Sequence, residues 1–160
     1  MNDATHSDIC IETLDPMRVA CYRAISPSPE EDGSQYLDAW VARQRIEGQV
    51  RRFGFDTDVP PAQQKPGVRG YEVWRTVPAD VQPSSGVTMK DFPGGLYAVM
   101  TLHRPFTDPS KFIPAGWKEL HEWVIHSSRY RSASHQWLEE LIAQEDGAHL
   151  RLYHPVMLTG

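Results

Sequence analysis

At 160 residues, 40% apolar and 23% charged, the chain has ordinary globular composition and enough length to bury a core as one domain or two small fused modules. A formal charge of −5 excludes a dedicated nucleic-acid binder, which carries a basic patch and a pI above about 9, so no direct nucleic-acid contact is expected. No run approaches the ~20 apolar residues of a membrane span, and the opening "MNDATHSDIC" has no charged-then-apolar leader; with two cysteines, Cys10 and Cys21, the expected compartment is the cytoplasm.

Residues 1–8 are expected to be disordered. Residues 9–14 ("ICIETL") and 17–26 ("MRVACYRAIS") read as strands parted by the turn pair Asp15-Pro16. "SPSPEEDGSQ" reads as a loop, after which Ser34 is placed to cap a helix through about 35–50 that carries Leu37, Trp40 and Val41. Residues 56–69 hold three prolines without periodicity and read as a long surface loop. "GYEVWRTVP" (70–78) is the clearest strand.

A second round follows. "VTMKDF" (87–92) and "LYAVMTLH" (96–103) read as strands around the turn Pro93-Gly94-Gly95. Ile113, Trp117, Leu120 and Val124 make the apolar stripe of a helix over 113–126. "HQWLEELI" (135–142) fits either periodicity, and "LRLYHPV" (150–156) reads as a strand that Pro155 ends. A shift of 78 residues lays Ile11 on Met89, Leu14 on Phe92 and Ala20 on Ala98. The order of classes predicts an α+β fold of two β-α-β-β modules, about 9–85 and about 86–158, in one domain over 9–158.

The stretch "HEWVIH" (121–126) looks like a zinc-protease box but has its histidines five apart, which on a helix separates them by roughly 140°. His6, His103, His135, His149 and His154 show no ligand spacing along the chain, and the cysteines form no C-x-x-C pair. No metal or other cofactor is expected. His121 reads as a polar position on an amphipathic helix.

Alternation in "GYEVWRTV" sends Glu72, Trp74 and Thr76 to one face and Tyr71, Val73 and Val77 to the other. If 135–142 is a strand, Trp137, Glu139 and Leu141 share a face, with Leu138, Glu140 and Ile142 opposite. Each module then offers a carboxylate beside a tryptophan. The bland reading is a solvated strand whose Glu points to water. The functional reading is a carboxylate in an aromatic-lined cleft, where a lipophilic cation meets both the charge and the negative ring faces. Candidate rings are Trp40, Tyr22, Tyr97 and Tyr153, with Tyr97 expected to line the same cleft as the glutamates; Trp117, at helical spacing, reads as core.

The run "GYEVWRTVPADV…SSGVTMKDFPGGLYAVMTLHRPF…AGWKELHEWVIHSSRYRSASHQWLEELI…LRLYHPV" resembles the GyrI-like small-molecule-binding domain, the effector-binding half of AraC-type and MerR-type multidrug-responsive regulators. The similarity is strongest over 70–156. It rests on the Y-E-V-W strand, the P-x-G-x-Y-A turn and strand at Pro93–Ala98, the W-x-x-L-x-x-W helix at Trp117–Trp123, and the terminal Leu-Tyr-x-Pro. The resemblance implies two modules with pseudo-two-fold symmetry, antiparallel sheets around a central cleft, and helices behind them. The family's ligand-contacting glutamate lies in an L-E-x-Y strand, which matches Leu138-Glu139-Glu140-Leu141 and implies that role for Glu139. Here Leu141 stands for the usual Tyr, Gln136 for a usual Pro, and Arg104 for the Gly of a G-P-F/Y turn.

Three functions compete at this stage. The first is a stand-alone receptor for lipophilic, cationic or aromatic compounds, using Glu139, Glu72 and the rings Trp74, Tyr97, Trp137, Tyr22, Tyr153 and Trp40. Residues 1–8 are too few for a helix-turn-helix, so any regulatory role is expected to need a separate DNA-binding partner. The second is a hydrolase of electrophilic small molecules, with Glu139 or Glu72 as base and Tyr97 as donor; the sequence shows neither GxSxG nor a Cys-His signature. The third, implied by the family name, is a gyrase-interacting inhibitor.

Overall fold

The computed structural model describes residues 5–160, which form ten strands, two α-helices and two single 3-10 turns. The chain divides into two compact units, one formed by residues 16–93 and the other by residues 5–15 together with 94–160. The α+β class expected from the order of elements is what the units show.

The contiguous unit contains β3 (Met17–Ser26), α1 (Pro29–Arg43), β4 (Arg52–Thr57), β5 (Arg69–Thr76) and β6 (Thr88–Phe92). All pairings are antiparallel, in the order β6-β3-β5-β4. Helix α1 covers one face over Ala20, Leu37, Trp40, Tyr71, Val73, Val77 and Val87. It begins within the stretch expected as a loop, because Pro29 at the first turn needs no N–H acceptor and Glu30, Glu31 and Asp32 complement the positive end of the helix. It ends at Arg43, ahead of Arg45 and Gly48 with φ of 53° and 91°, so the expected extent of 35–50 is corrected at both ends.

The second unit contains β1 (Thr5–His6), β2 (Cys10–Leu14), β7 (Gly95–His103), α2 (Pro109–His126), β8 (Tyr130–Ser132), β9 (Leu138–Gln144) and β10 (Gly147–Leu158). β7 pairs with β1, β2 and β10, and β10 pairs with β9 and β8, all antiparallel. Helix α2 packs over Ala98, Met100, Leu102, Leu120, Val124, Leu150, Leu152 and Val156. Gly116 sits at the crossing: a Cβ there would fall 2.9–3.1 Å from methyl carbons of Leu102 and Leu152.

Pro155 does not end the last strand. It pairs in register with Tyr97, and beyond it Val156–Leu158 take up β8, so the missing N–H falls where β10 changes partner. The disordered start expected for residues 1–8 falls partly on residues 1–4, outside the described residues; Thr5–His6 is a short strand.

The 78-residue shift read from the sequence carries Cys10–Leu14 end to end onto Thr88–Phe92. Both strands lie across from their sequence neighbours. β2 precedes β3 yet pairs with β7, and β6 precedes β7 yet pairs with β3. The chain therefore passes between the units at Asp15-Pro16 and again at Pro93-Gly94.

Candidate functional site: a half-open indole, carboxylate and imidazole cluster

Cross-strand register decides which way each candidate points. Glu139 lies opposite Leu152, a core residue beneath α2, so its side chain takes the helix side of β9. Leu141 packs on the same core. The alternation expected for 137–142 holds.

On that side, the Trp117 indole N–H donates to Glu139 Oε2 at 3.1 Å. The Trp137 ring, 38% exposed, stands 5.4 Å from Trp117 at 52°. Trp117 and His121 are four apart on α2 and so share a face. His121 Nδ1 is 2.9 Å from His154 Nε2, the two rings stack at 16°, and His154 lies 4.0 Å from the Trp137 centroid. His154 Nδ1 is 2.9 Å from the Pro155 carbonyl, to which it must donate; its Nε2 is then the acceptor for His121 Nδ1–H. Burial pushes His154 below the ordinary histidine range; the Pro155 carbonyl opposes this and His121 adds to it, so the His154 ring is neutral.

This group combines a half-buried carboxylate, two tilted indoles and a stacked imidazole pair. Such a surface sets a carboxylate beside ring faces, the two kinds of group that attract a cation.

Tyr97 and Tyr153 lie on the other side of the same sheet, which corrects the expectation that Tyr97 lines a surface with Glu139. Tyr153 pairs with Leu138 and Arg151 with Glu140, so Glu140 is the carboxylate that faces the tyrosines. The Tyr153 hydroxyl donates to Glu140 Oε1 at 2.6 Å and accepts from Arg151 Nη1 at 2.8 Å, while Arg151 also binds Glu12. Tyr97 donates to the Gln136 carbonyl at 2.5 Å, and burial raises its pKa above the ordinary phenol value. Tyr97, Tyr153 and Glu140 are buried. They form a satisfied polar core, as buried charges require.

In the contiguous unit, Glu72 and Trp74 share a face, as alternation predicts, on the side of β5 away from α1. Glu72 is buried and accepts from Trp74 Nε1 at 2.7 Å, Lys90 Nζ at 2.6 Å and Arg23 Nη2 at 3.2 Å. Burial raises its pKa, but the Lys90, Trp74 and Arg23 bonds together outweigh this and hold it below the usual carboxylate value. Two cations against one carboxylate make this an internal ion cluster. Tyr22 stacks on Tyr36 at 4.1 Å, and Trp40, fully buried, donates to Ser84 Oγ at 3.0 Å; both serve packing around α1.

The sequence places Glu139 and Trp137 on one face and Trp117 with the core, against which it does pack, but reads His121 only as a polar position on an amphipathic helix. The i, i+4 spacing of Trp117 and His121 was the available signal; His154 could be joined to them only through the register of β10. "HEWVIH" is the end of α2, where His126 turns back to the Glu122 carbonyl at 2.8 Å.

The chain belongs to the Cass2 family of integron-associated effector binding proteins, whose model matches residues 10–156. Its fold is similar to an integron cassette protein from the mobile metagenome of Vibrio cholerae, at 11% identity and TM-score 0.58, over 98% of this chain and 100% of that one. It is also similar to the EcmrR C-terminal domain, at 14% identity and TM-score 0.66, over 95% and 98%. A third structure, SAV2435 bound to tetraphenylphosphonium, aligns at 10% identity and TM-score 0.51 over 94% of each chain. No curated protein matches the sequence. The GyrI-like resemblance seen in the sequence thus has its counterpart in family and fold. Among the described residues no helix is long and apolar enough to cross a membrane.

Proposed function

We propose that the protein binds lipophilic aromatic cations at the Glu139 cluster and serves as the ligand-sensing component of a regulatory system. The observation that carries the ligand class is the Glu139 carboxylate held by the Trp117 N–H beside the half-exposed Trp137 ring. A bare ammonium satisfies the carboxylate but leaves the rings unused. A neutral arene uses the rings but not the charge. An aromatic cation uses both, with about 0.5–2 kcal/mol from each well-placed ring added to the charge attraction.

The family assignment and the tetraphenylphosphonium complex of SAV2435 support this reading. The test is a calorimetric panel of three shape-matched aryl compounds bearing positive, zero and negative charge. The expected order is cation over neutral over anion. An anion bound as tightly as the cation overturns the proposal.

A further inference from the structure

The register of β7 and β10 sets His149 directly across from His103, 46 residues earlier in the chain. Their Nδ1 atoms face one another at 3.0 Å, with the rings 4.9 Å apart and nearly perpendicular at 77°. His149 Nε2 lies 2.9 Å from Asp146 Oδ1, in the turn between β9 and β10. A neutral His149 must donate from Nε2 to that carboxylate, which leaves the Nδ1 lone pair aimed at His103. A carboxylate that fixes the tautomer and orientation of an imidazole in this way is the support found behind metal-ligating histidines.

The spacing suits a shared ion. Two imidazole nitrogens each about 2.0–2.1 Å from one metal are separated by about 2.8–3.0 Å at a square-planar angle and about 3.3–3.4 Å at a tetrahedral one. In distance the observed 3.0 Å meets the first and is a few tenths of an ångström short of the second; each ring must also turn so that its Nδ1 lone pair leaves the N–N line and converges on the ion. His149 is buried, so an ion enters from the side of half-buried His103.

We propose that His103 and His149, backed by Asp146, form a two-imidazole site for a divalent late first-row ion, with copper(II) preferred to zinc(II) or nickel(II). Among the described residues no group of three or more His, Cys, Asp or Glu side chains is placed to hold a metal, so water fills the remaining positions. Arg104, whose side chain runs past Gly147 beside this turn, counters the Asp146 charge. Both facts weaken the site relative to one with three or four protein ligands. On binding, the proton that His103 Nδ1 shares with His149 moves to His103 Nε2. Neither ring then gains or loses charge, and no proton is released.

The test uses the tag-free full chain and copper(II), followed by calorimetry and electron paramagnetic resonance. One ion per chain with couplings to two imidazole nitrogens is expected. His103→Gln and His149→Gln should each weaken binding at least about tenfold, and Asp146→Asn by about 10–100-fold with the two-nitrogen signature kept. His126→Gln, at the exposed end of α2, should change nothing. Failure of the unmutated chain to bind copper(II) at about 100 µM, a nitrogen count other than two, or undiminished binding by His103→Gln overturns the site. Should His149→Gln not fold, the half-exposed His103→Gln and the spectrum of the unmutated chain still decide.

Discussion

Replacing Glu139 by Gln removes the charge while keeping a carbonyl oxygen for the Trp117 N–H, which now donates at 3.1 Å. The Trp117 contact is therefore retained while the charge that attracts a cationic ligand is removed. Two unit charges 4 Å apart attract by about 4 kcal/mol at an effective dielectric near 20. Glu139 is only half-buried, so water screens part of that, and desolvation of the carboxylate on binding offsets more. A net loss of about 1–2 kcal/mol remains, or about 5–30-fold in Kd. The assay is isothermal titration of both proteins with tetraphenylphosphonium and with neutral triphenylphosphine oxide, after checking that their melting temperatures agree. The cation should weaken by that factor and the neutral compound by less than about twofold. Equal weakening of both would show that Glu139 acts through shape, and no weakening of the cation would show that its charge is not used; either result refutes the reasoning.

Two further outcomes concern stability. Gly116→Ala should destabilise the fold by about 1–3 kcal/mol, because the added methyl meets Leu102 and Leu152 at 2.9–3.1 Å; thermal unfolding reads this directly. His154 has a folded-state pKa below its unfolded value of about 6.5, so the unfolded chain binds more protons and stability falls as pH drops through 6.5 toward the folded pKa. Melting temperatures at pH 7.5 and 5.5 should differ more in the unmutated protein than in His154→Gln.

Local pattern carried much of this architecture. The alternation of "GYEVWRTV" put Glu72 and Trp74 on one face, and the stripe Ile113, Trp117, Leu120, Val124 marked α2, since each signal lies within one element. The start of α1 was misread because Pro29 and the acidic turn look like loop composition, whereas they suit a helix N-terminus. β4 (Arg52–Thr57) gave little signal: six residues with Gly54 in the middle are too short for a period to emerge. The larger gaps are relations between elements. Glu140 and Glu139 are neighbours of the same type, and only the pairing of β9 with β10 shows that one meets Tyr153 while the other meets Trp117. His103 with His149, and His121 with His154, are likewise products of register, which no spacing along the chain records.

The exchanged strands impose an order on synthesis. Residues 16–93 emerge as an uninterrupted block holding β3, β4, β5 and β6 with α1, so that block can close while the remainder is still being made. Cys10–Leu14 leaves the ribosome ahead of that block, yet its mate Gly95–His103 arrives some eighty residues later. Until then that leading ribbon waits with its backbone donors and acceptors unspent, the most exposed edge of the nascent chain and the place where a chaperone or a stray neighbouring strand would take hold.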